Sequence, residues 1–254
     1  MPFFQYDGRD VYYEELGNGQ PLALLHGNTA SSKMFADVAE AYARYYKVIL
    51  IDFLGHGRSD RLNSFPPDLW FDEARQLTAL LEGQAYGRVN LIGSSGGALA
   101  AINAALEKPE LIAKVIADSF EGEKPLKAFT QDVIAEREAS KKDPGARAFY
   151  YQMHGDDWEQ VVDNDTQAIA RHDQMIGRFF HQPLENFRPP ILMTGSKEDE
   201  FVCEISRTYF EDVYGRMLKK IGHGDMHLFN SGGHPAMLSN PDEFVELSRR
   251  FFDC

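Results

Sequence analysis

The chain has 254 residues, of which 43% are hydrophobic, and its formal net charge is −13 at pH 7. This length suffices for one large α/β domain, and the negative charge argues against nucleic acids and anionic membranes as partners. The chain shows neither a leader-like N-terminal segment nor an apolar stretch of about 18 residues, so we expect a cytoplasmic protein that does not cross a membrane. Two distant cysteines, Cys203 and Cys254, fit neither a disulfide framework nor a zinc site, and we expect no catalytic role for them.

Short apolar segments recur along the chain. Residues 3–6 and 11–16 flank Asp7-Gly8, a dipeptide that favours tight turns, and therefore predict an antiparallel hairpin. Six further runs are too short for helices and are typical of strands buried on both faces. They comprise residues 21–25, 48–53, 89–92, 115–117, 191–194 and 226–229. We expect these six to form a parallel sheet.

Amphipathic patterns lie between the predicted strands. Apolar side chains recur at helical spacing over residues 34–45 and 70–81. Near the C-terminus, Asn240 can cap a helix that has Pro241 at its first position and Glu243 three residues later. The side chains expected to face inward there are Phe244, Leu247 and Phe251. Alternating strands and helices predict a doubly wound α/β fold with helices on both faces of the sheet.

Residues 121–190 interrupt this alternation, because a single crossover helix would ordinarily join the two flanking strands. Within the interval, residues 126–142 and 158–180 have helical patterns, and aromatic side chains are dense. We expect one domain over residues 1–254, with 121–190 forming a helical cap above the carboxyl ends of the strands. The aromatic side chains do not identify a substrate, since amphipathic helices must bury such side chains in any case.

The most specific sequence motif is GSSGG at residues 93–97, which follows one predicted strand and precedes a helix of small residues. It fits the G-x-S-x-G pattern, whose glycines allow the sharp strand-to-helix turn that exposes the central serine. Ser95 is therefore the predicted nucleophile, placed at a helix N-terminus that favours developing negative charge. A glycine-rich turn without chemistry is the alternative interpretation of this motif.

A serine nucleophile requires a base, which a third group must orient. His234 lies in a glycine-containing loop after the last predicted strand and is the predicted base, whereas His223 and His227 lie before and within that strand. The loop after the preceding strand carries the candidate acids. These are Glu198, Asp199 and Glu200. We favour Asp199, with Glu198 as the alternative.

Acyl transfer also needs two backbone donors for the oxyanion of the tetrahedral intermediate. The N–H of Gly96, directly after the nucleophile, is the first candidate. The loop at residues 26–29 follows the third predicted strand, and the N–H of Asn28 is the second candidate. For the side chain of Asn28 we expect a bracing role within this loop.

Together these motifs resemble the α/β-hydrolase superfamily, and they stand in that superfamily's order at residues 24–27, 52–59, 93–97, 195–202 and 232–234. The resemblance implies an eight-stranded sheet, a Ser-His-Asp triad, no cofactor, and a lid inserted after the sixth strand. It also implies that residues 52–59 form a structural turn, so that Asp52 and His56 are not catalytic. The chain looks most similar to small capped carboxylesterases, lactonases and biphenyl hydrolase-like enzymes. Ser95 argues against the haloalkane dehalogenases, which use a carboxylate nucleophile.

The same resemblance gives two registers for the triad acid. Counting from Gly195 selects Glu198, whereas counting back from the apolar pair Phe201-Val202 selects Asp199. We prefer the second register, because both apolar residues must pack and thereby fix the direction of the side chain that precedes them.

The leading functional hypothesis is hydrolysis of an ester or lactone bond in a small molecule through an acyl-Ser95 intermediate. Alternatives on the same triad are a carbon-carbon bond hydrolase, an aminopeptidase-like hydrolase, and a synthase or lyase. A ligand-binding, receptor-like protein is a further alternative, which the complete set of catalytic positions disfavours. The sequence leaves the substrate and the oligomeric state open.

Overall fold

A computed structural model describes residues 2–202 and 205–253. Its strands are β1 (Phe3–Tyr6), β2 (Arg9–Leu16), β3 (Gln20–Leu25), β4 (Tyr46–Asp52), β5 (Val89–Ser94), β6 (Ile112–Asp118), β7 (Ile191–Ser196) and β8 (Asp225–Phe229). Its helices are α1 (Ala36–Ala43), α2 (Leu69–Gln84), α3 (Gly96–Glu107), α4 (Lys127–Thr130), α5 (Val133–Ser140), α6 (Pro144–His154), α7 (Trp158–Met175), α8 (Tyr209–Ile221), α9 (Ala236–Ser239) and α10 (Pro241–Asp253). Cys203 and Cys254 lie outside the described residues.

The eight strands form one sheet in the order β1-β2-β4-β3-β5-β6-β7-β8. The pairs β1–β2 and β2–β4 are antiparallel, and all other neighbouring pairs are parallel. The predicted hairpin and the six predicted parallel strands are therefore confirmed. The predicted fold class is confirmed as well: a mostly parallel eight-stranded α/β sheet with helices on both faces.

The central strands bury both faces, because successive side chains of a strand point to opposite sides of the sheet. The apolar layer that includes side chains of α1 and α10 contains Leu22, Leu24, Val48, Leu50, Ile92 and Ile116. The opposite layer, which includes side chains of α2 and α3, contains Ala23, Leu25, Ile49, Ile51, Leu91 and Val115. Each strand thus contributes to two hydrophobic cores, which explains its continuous apolar sequence.

The predicted C-terminal helix is present as α10, but two details differ from expectation. Its buried positions are Phe244, Ser248 and Phe252, four residues apart, while Leu247 is only half-buried. Among the described residues, the side chain of Asn240 accepts no hydrogen bond from the first turn of this helix, and its amide donates to the Ser231 carbonyl at 3.1 Å. This contact connects the start of α10 to the loop that carries the predicted base.

Between β6 and β7 the chain forms four helices, α4 to α7. The predicted helix over 126–142 is broken into α4 and α5, and α6 was not predicted. Pro144 at the first position and a hydrogen bond from the Ala146 N–H to Asp143 Oδ1 (2.8 Å) explain why α6 begins there. Across the described residues, no helix is both long and apolar enough to cross a membrane.

Candidate active site

Ser95 occupies the sharp turn between β5 and α3, with a backbone φ of 56° and ψ of −122°. Its N–H donates to the Asp118 carbonyl at 2.8 Å. A side chain at Gly93 would overlap the backbone of Gly97, and one at Gly97 would overlap the carbonyl of Leu25. Only glycine fits at these two positions, so the motif imposes the strained conformation that exposes Ser95.

The loops after β7 and β8 bring Asp199 and His234 together, with Asp199 Oδ2 at 2.8 Å from His234 Nδ1. Asp199 is fully buried, and the His234 side chain is 18% exposed. The other carboxylate oxygen of Asp199 accepts the N–H of Phe201 at 3.0 Å. Because a carboxylate only accepts hydrogen bonds, Nδ1 of His234 must carry a proton, and in the neutral ring Nε2 is left as a hydrogen-bond acceptor.

The two acids that flank Asp199 have different surroundings. Glu198 is exposed, whereas Glu200 Oε2 accepts the backbone N–H of His234 at 2.9 Å. Val202 is buried, as the preferred register requires, but Phe201 is 46% exposed and lies edge-on against the His234 ring at 4.7 Å between centroids. Of the three candidates, the structure brings Asp199 to the imidazole, while Glu200 holds the backbone of the same histidine.

Ser95 and His234 line one cavity, although Ser95 Oγ makes no hydrogen bond to His234 among the described residues. Catalytic hydrogen bonds are often long in a ligand-free enzyme and shorten when substrate binds. The two predicted oxyanion donors, Asn28 and Gly96, line the same cavity. Neither of their backbone N–H groups donates to another described residue. Both donors therefore remain available to a bound ligand.

The side chain of Asn28 braces its loop, as expected. Its Oδ1 accepts from Trp70 Nε1 at 3.1 Å, and its Nδ2 donates to Asp165 Oδ1 at 2.9 Å. Asp165 belongs to α7 and was not singled out from the sequence. No sequence signal identifies it, because its partner Asn28 lies 137 residues away in the chain.

Asp118 is a second buried carboxylate that the sequence did not single out. It accepts from Thr194 Oγ1 at 2.8 Å and from the backbone N–H of Met237 at 3.1 Å. Burial raises the pKa of Asp118 to about 6, although the hydrogen bonds from Met237 and Thr194 oppose this shift. Asp118 lies at the end of β6, and its bond to Met237 fixes the segment that follows His234.

Asp52 ends β4 and His26 directly follows β3, and neither residue lines the cavity that contains Ser95. Asp52 accepts the backbone N–H groups of Ser32 and Arg58, each at 2.8 Å. His26 is buried and accepts the Phe53 N–H on Nε2 at 3.2 Å. Burial, with the nearby His56, lowers the pKa of His26 to about 4. His26 therefore stays neutral and can accept the hydrogen bond from the Phe53 N–H.

The cavity has a volume of about 300 Å³ and is mainly apolar. Its apolar lining includes Met34, Leu99, Phe120, Leu126, Phe129, Phe149 and Phe210. Besides Asp199 and His234, the ionisable side chains that line it, among the described residues, are Glu121 and Arg137. Burial raises the pKa of Glu121 to about 8. Among the described residues, no group of three His, Cys, Asp or Glu side chains is placed to hold a metal ion.

Comparisons with known proteins agree with this architecture. A 2-hydroxy-6-oxononadienedioate/2-hydroxy-6-oxononatrienedioate hydrolase of Burkholderia vietnamiensis is 26% identical, over 95% of this chain and 90% of its own. The solved esterase from Exiguobacterium antarcticum superposes with a TM-score of 0.77 at 20% identity, covering 99% of both chains. Est816, an N-acyl homoserine lactone degrading enzyme, superposes with a TM-score of 0.73 at 22% identity, covering 98% of this chain and all of its own. The sequence profile of the alpha/beta hydrolase family matches residues 22–247, and the chain therefore belongs to that family.

Proposed function

We propose that this hydrolase cleaves an ester or lactone bond of a small molecule through an acyl-Ser95 intermediate. The observation that carries the proposal is the buried Asp199–His234 pair, which opens onto the same cavity as Ser95 on its strained turn. A serine hydroxyl is a weak nucleophile at neutral pH, and this arrangement supplies the oriented base that it requires.

The reaction begins when Nε2 of His234 takes the proton of Ser95 Oγ as the oxygen bonds to the substrate carbonyl carbon. The backbone N–H groups of Asn28 and Gly96 stabilise the resulting oxyanion. When the tetrahedral intermediate collapses, the bond to the alcohol oxygen breaks and His234 returns the proton to that oxygen. Water, deprotonated by His234, then attacks the acyl carbon, and the protonated Ser95 leaves.

The cavity favours small, largely apolar substrates. A volume of about 300 Å³ lies at the lower end of the range for sites that bind small molecules. Apolar side chains dominate the lining, and such weakly polar surroundings strengthen the electrostatic stabilisation of the oxyanion. A polymeric substrate is not expected in a site of this kind.

Hydrolysis of a carbon-carbon bond is the second candidate. Several relatives are named as hydrolases of 2-hydroxy-6-oxo dienoates, compounds that contain no ester bond. One is the Burkholderia vietnamiensis enzyme, and another is a 2-hydroxy-6-oxo-6-phenylhexa-2,4-dienoate hydrolase of Comamonas testosteroni, 24% identical to this chain. The two reactions differ in the leaving group. An ester releases an alkoxide, whereas a carbon-carbon bond must release a carbanion, which needs both resonance stabilisation and a proton.

A substrate panel separates the two candidates. We expect the purified protein to turn over 4-nitrophenyl butyrate or an N-acyl homoserine lactone with a larger kcat/KM than 2-hydroxy-6-oxo-6-phenylhexa-2,4-dienoate. Loss of the conjugated dienoate absorbance reports the last reaction. The opposite ranking would favour the second candidate, and the absence of any turnover would favour a ligand-binding role. Ser95→Ala serves as the background control for each substrate.

A further inference from the structure

The loop that carries the second oxyanion donor has an unusual backbone. Thr29 has a φ of 56°, in the left-handed region that a β-branched residue rarely adopts. Such a conformation is strained and persists only where surrounding contacts impose it. The contacts that impose it here come from the insertion.

Helix α7 supplies the first of these contacts through Asp165, which is fully buried. Its Oδ2 accepts the backbone N–H of Thr29 at 2.7 Å, and its Oδ1 accepts the Asn28 side-chain amide at 2.9 Å. His56 Nε2 lies 2.9 Å from the same Oδ2. Burial opposes ionisation of this carboxyl, but the hydrogen bond and charge of His56 and the Thr29 N–H hold the pKa of Asp165 below its usual range.

Helix α6 supplies the second contact through His154, its last residue. The Gly57 N–H donates to His154 Nδ1 at 3.1 Å, so Nε2 carries the proton of the neutral ring and donates it to the Thr29 carbonyl at 3.0 Å. Burial, with the nearby His56, lowers the pKa of His154 to about 3, and the ring remains neutral. Both backbone groups of Thr29 are therefore held by the insertion.

We propose that the insertion completes the oxyanion hole: Asp165 and His154 hold Thr29 in its left-handed conformation and thereby position the N–H of Asn28. Asp165 is a positioning residue, since it acts through Asn28 and does not line the cavity. The inference rests on the proposed function, in which this N–H stabilises the oxyanion. It follows that α6 and α7 must be in place on the sheet for acyl transfer to proceed.

The test compares Asp165→Asn with the matched control Asp163→Asn. Asp163 lies on the same helix, is exposed, and pairs with Lys141 at 2.6 Å. An amide at position 165 presents a donor where the carboxylate has an acceptor, so the loop loses at least one hydrogen bond. With 4-nitrophenyl butyrate we expect kcat of Asp165→Asn to fall about 10- to 100-fold, less than the loss of a whole oxyanion donor, with KM within about threefold. For the control Asp163→Asn we expect both kcat and KM to stay within about twofold of the wild-type values.

Two readouts separate a positioning role from a merely structural one. A trifluoromethyl ketone forms a tetrahedral oxyanion on Ser95, and its inhibition constant should rise by the same factor by which kcat/KM falls. In addition, Thr29→Gly introduced into Asp165→Asn should restore kcat about three- to tenfold, because glycine adopts a positive φ without strain. A buried aspartate that only stabilised the fold would lower the melting temperature without either effect.

An unchanged kcat in folded Asp165→Asn would overturn the inference, as would a rise in KM alone. If Asp165→Asn does not fold, His154→Phe removes the other contact, and a folded protein with unchanged kcat would overturn the inference equally. Failure of the wild-type protein to turn over any substrate of the panel would overturn the proposed function and this inference together. If the wild-type protein turns over a substrate and Asp165→Asn does so equally well, the inference is overturned but the proposed function is not.

Discussion

The Ser95 turn and the insertion contribute to one cavity through different kinds of contact. The turn is determined by residues 93–97, where close backbone approach requires glycine. The insertion acts at long range, since Asp165 and His154 contact a loop more than a hundred residues earlier in the chain. Under the proposed function, the sheet places the predicted catalytic groups, while the insertion holds the backbone of Thr29 and lines part of the cavity.

The largest expected effect lies in the turn. Ser95→Ala removes the predicted nucleophile, and we expect turnover to fall by about 10⁴- to 10⁶-fold, by comparison with triad deletions in other enzymes. The neighbouring Ser94→Ala is the control. Ser94 is buried and does not line the cavity, so it should tolerate alanine far better. Steady-state kinetics with the best substrate of the panel measures both, and undiminished turnover in Ser95→Ala would contradict the assignment.

The second expected effect concerns the acid. Asp199→Asn should lower kcat by up to about 10⁴-fold without unfolding the protein, because the amide no longer favours the required tautomer and imidazolium. Glu198→Gln should remain within a few-fold, since Glu198 is exposed. If Glu198→Gln were the inactive variant, the contact between Asp199 and His234 would have no catalytic role.

A smaller effect is expected at Glu200, whose carboxylate accepts the His234 backbone N–H. Glu200→Ala removes this acceptor and should lower kcat about three- to tenfold through misplacement of the imidazole. Glu200→Gln retains an accepting oxygen and should stay close to the parent. Equal losses in both variants would point to the charge of Glu200 and not to its hydrogen bond.

The smallest expected effect lies at Glu121, the first residue of the insertion. The pKa of Glu121 is raised to about 8, so its carboxyl is neutral below that pH and becomes an anion in an apolar cavity above it. We therefore expect KM for an apolar ester to rise between pH 7 and pH 9 in the wild-type protein. In Glu121→Gln this rise should be absent. A KM that is equally insensitive to pH in both proteins would contradict the raised pKa.

The sheet was predictable from the sequence because its determinants are local. Short apolar runs specify doubly buried strands, and the close backbone approach at the Ser95 turn requires glycine at positions 93 and 97. The preferred register of the acid loop agrees with the contact between Asp199 and His234, although Phe201 packs against the histidine ring and not into the core. The catalytic roles of Ser95, Asp199, His234, Asn28 and Gly96 remain predictions.

The insertion was less predictable, and the reasons are physical. Helix α6 begins at Asp143-Pro144, which is a capping signal. Gly145 follows directly, and because glycine disfavours helices, it obscures this signal. Asp165 lies in a polar helix, where an aspartate ordinarily faces solvent. Only the tertiary contact with Asn28 and Thr29 reveals its burial, and no pattern along the chain connects residues so far apart.

The most direct test of the central claim is the site of covalent labelling. A fluorophosphonate is attacked by an activated serine, which loses its proton as fluoride leaves and a phosphorus-oxygen bond forms. We predict one added group per chain, located on Ser95 by mass spectrometry of peptides, with labelling greatly slowed in His234→Ala. A label on another residue, or no label on a protein that turns over esters, would contradict the account.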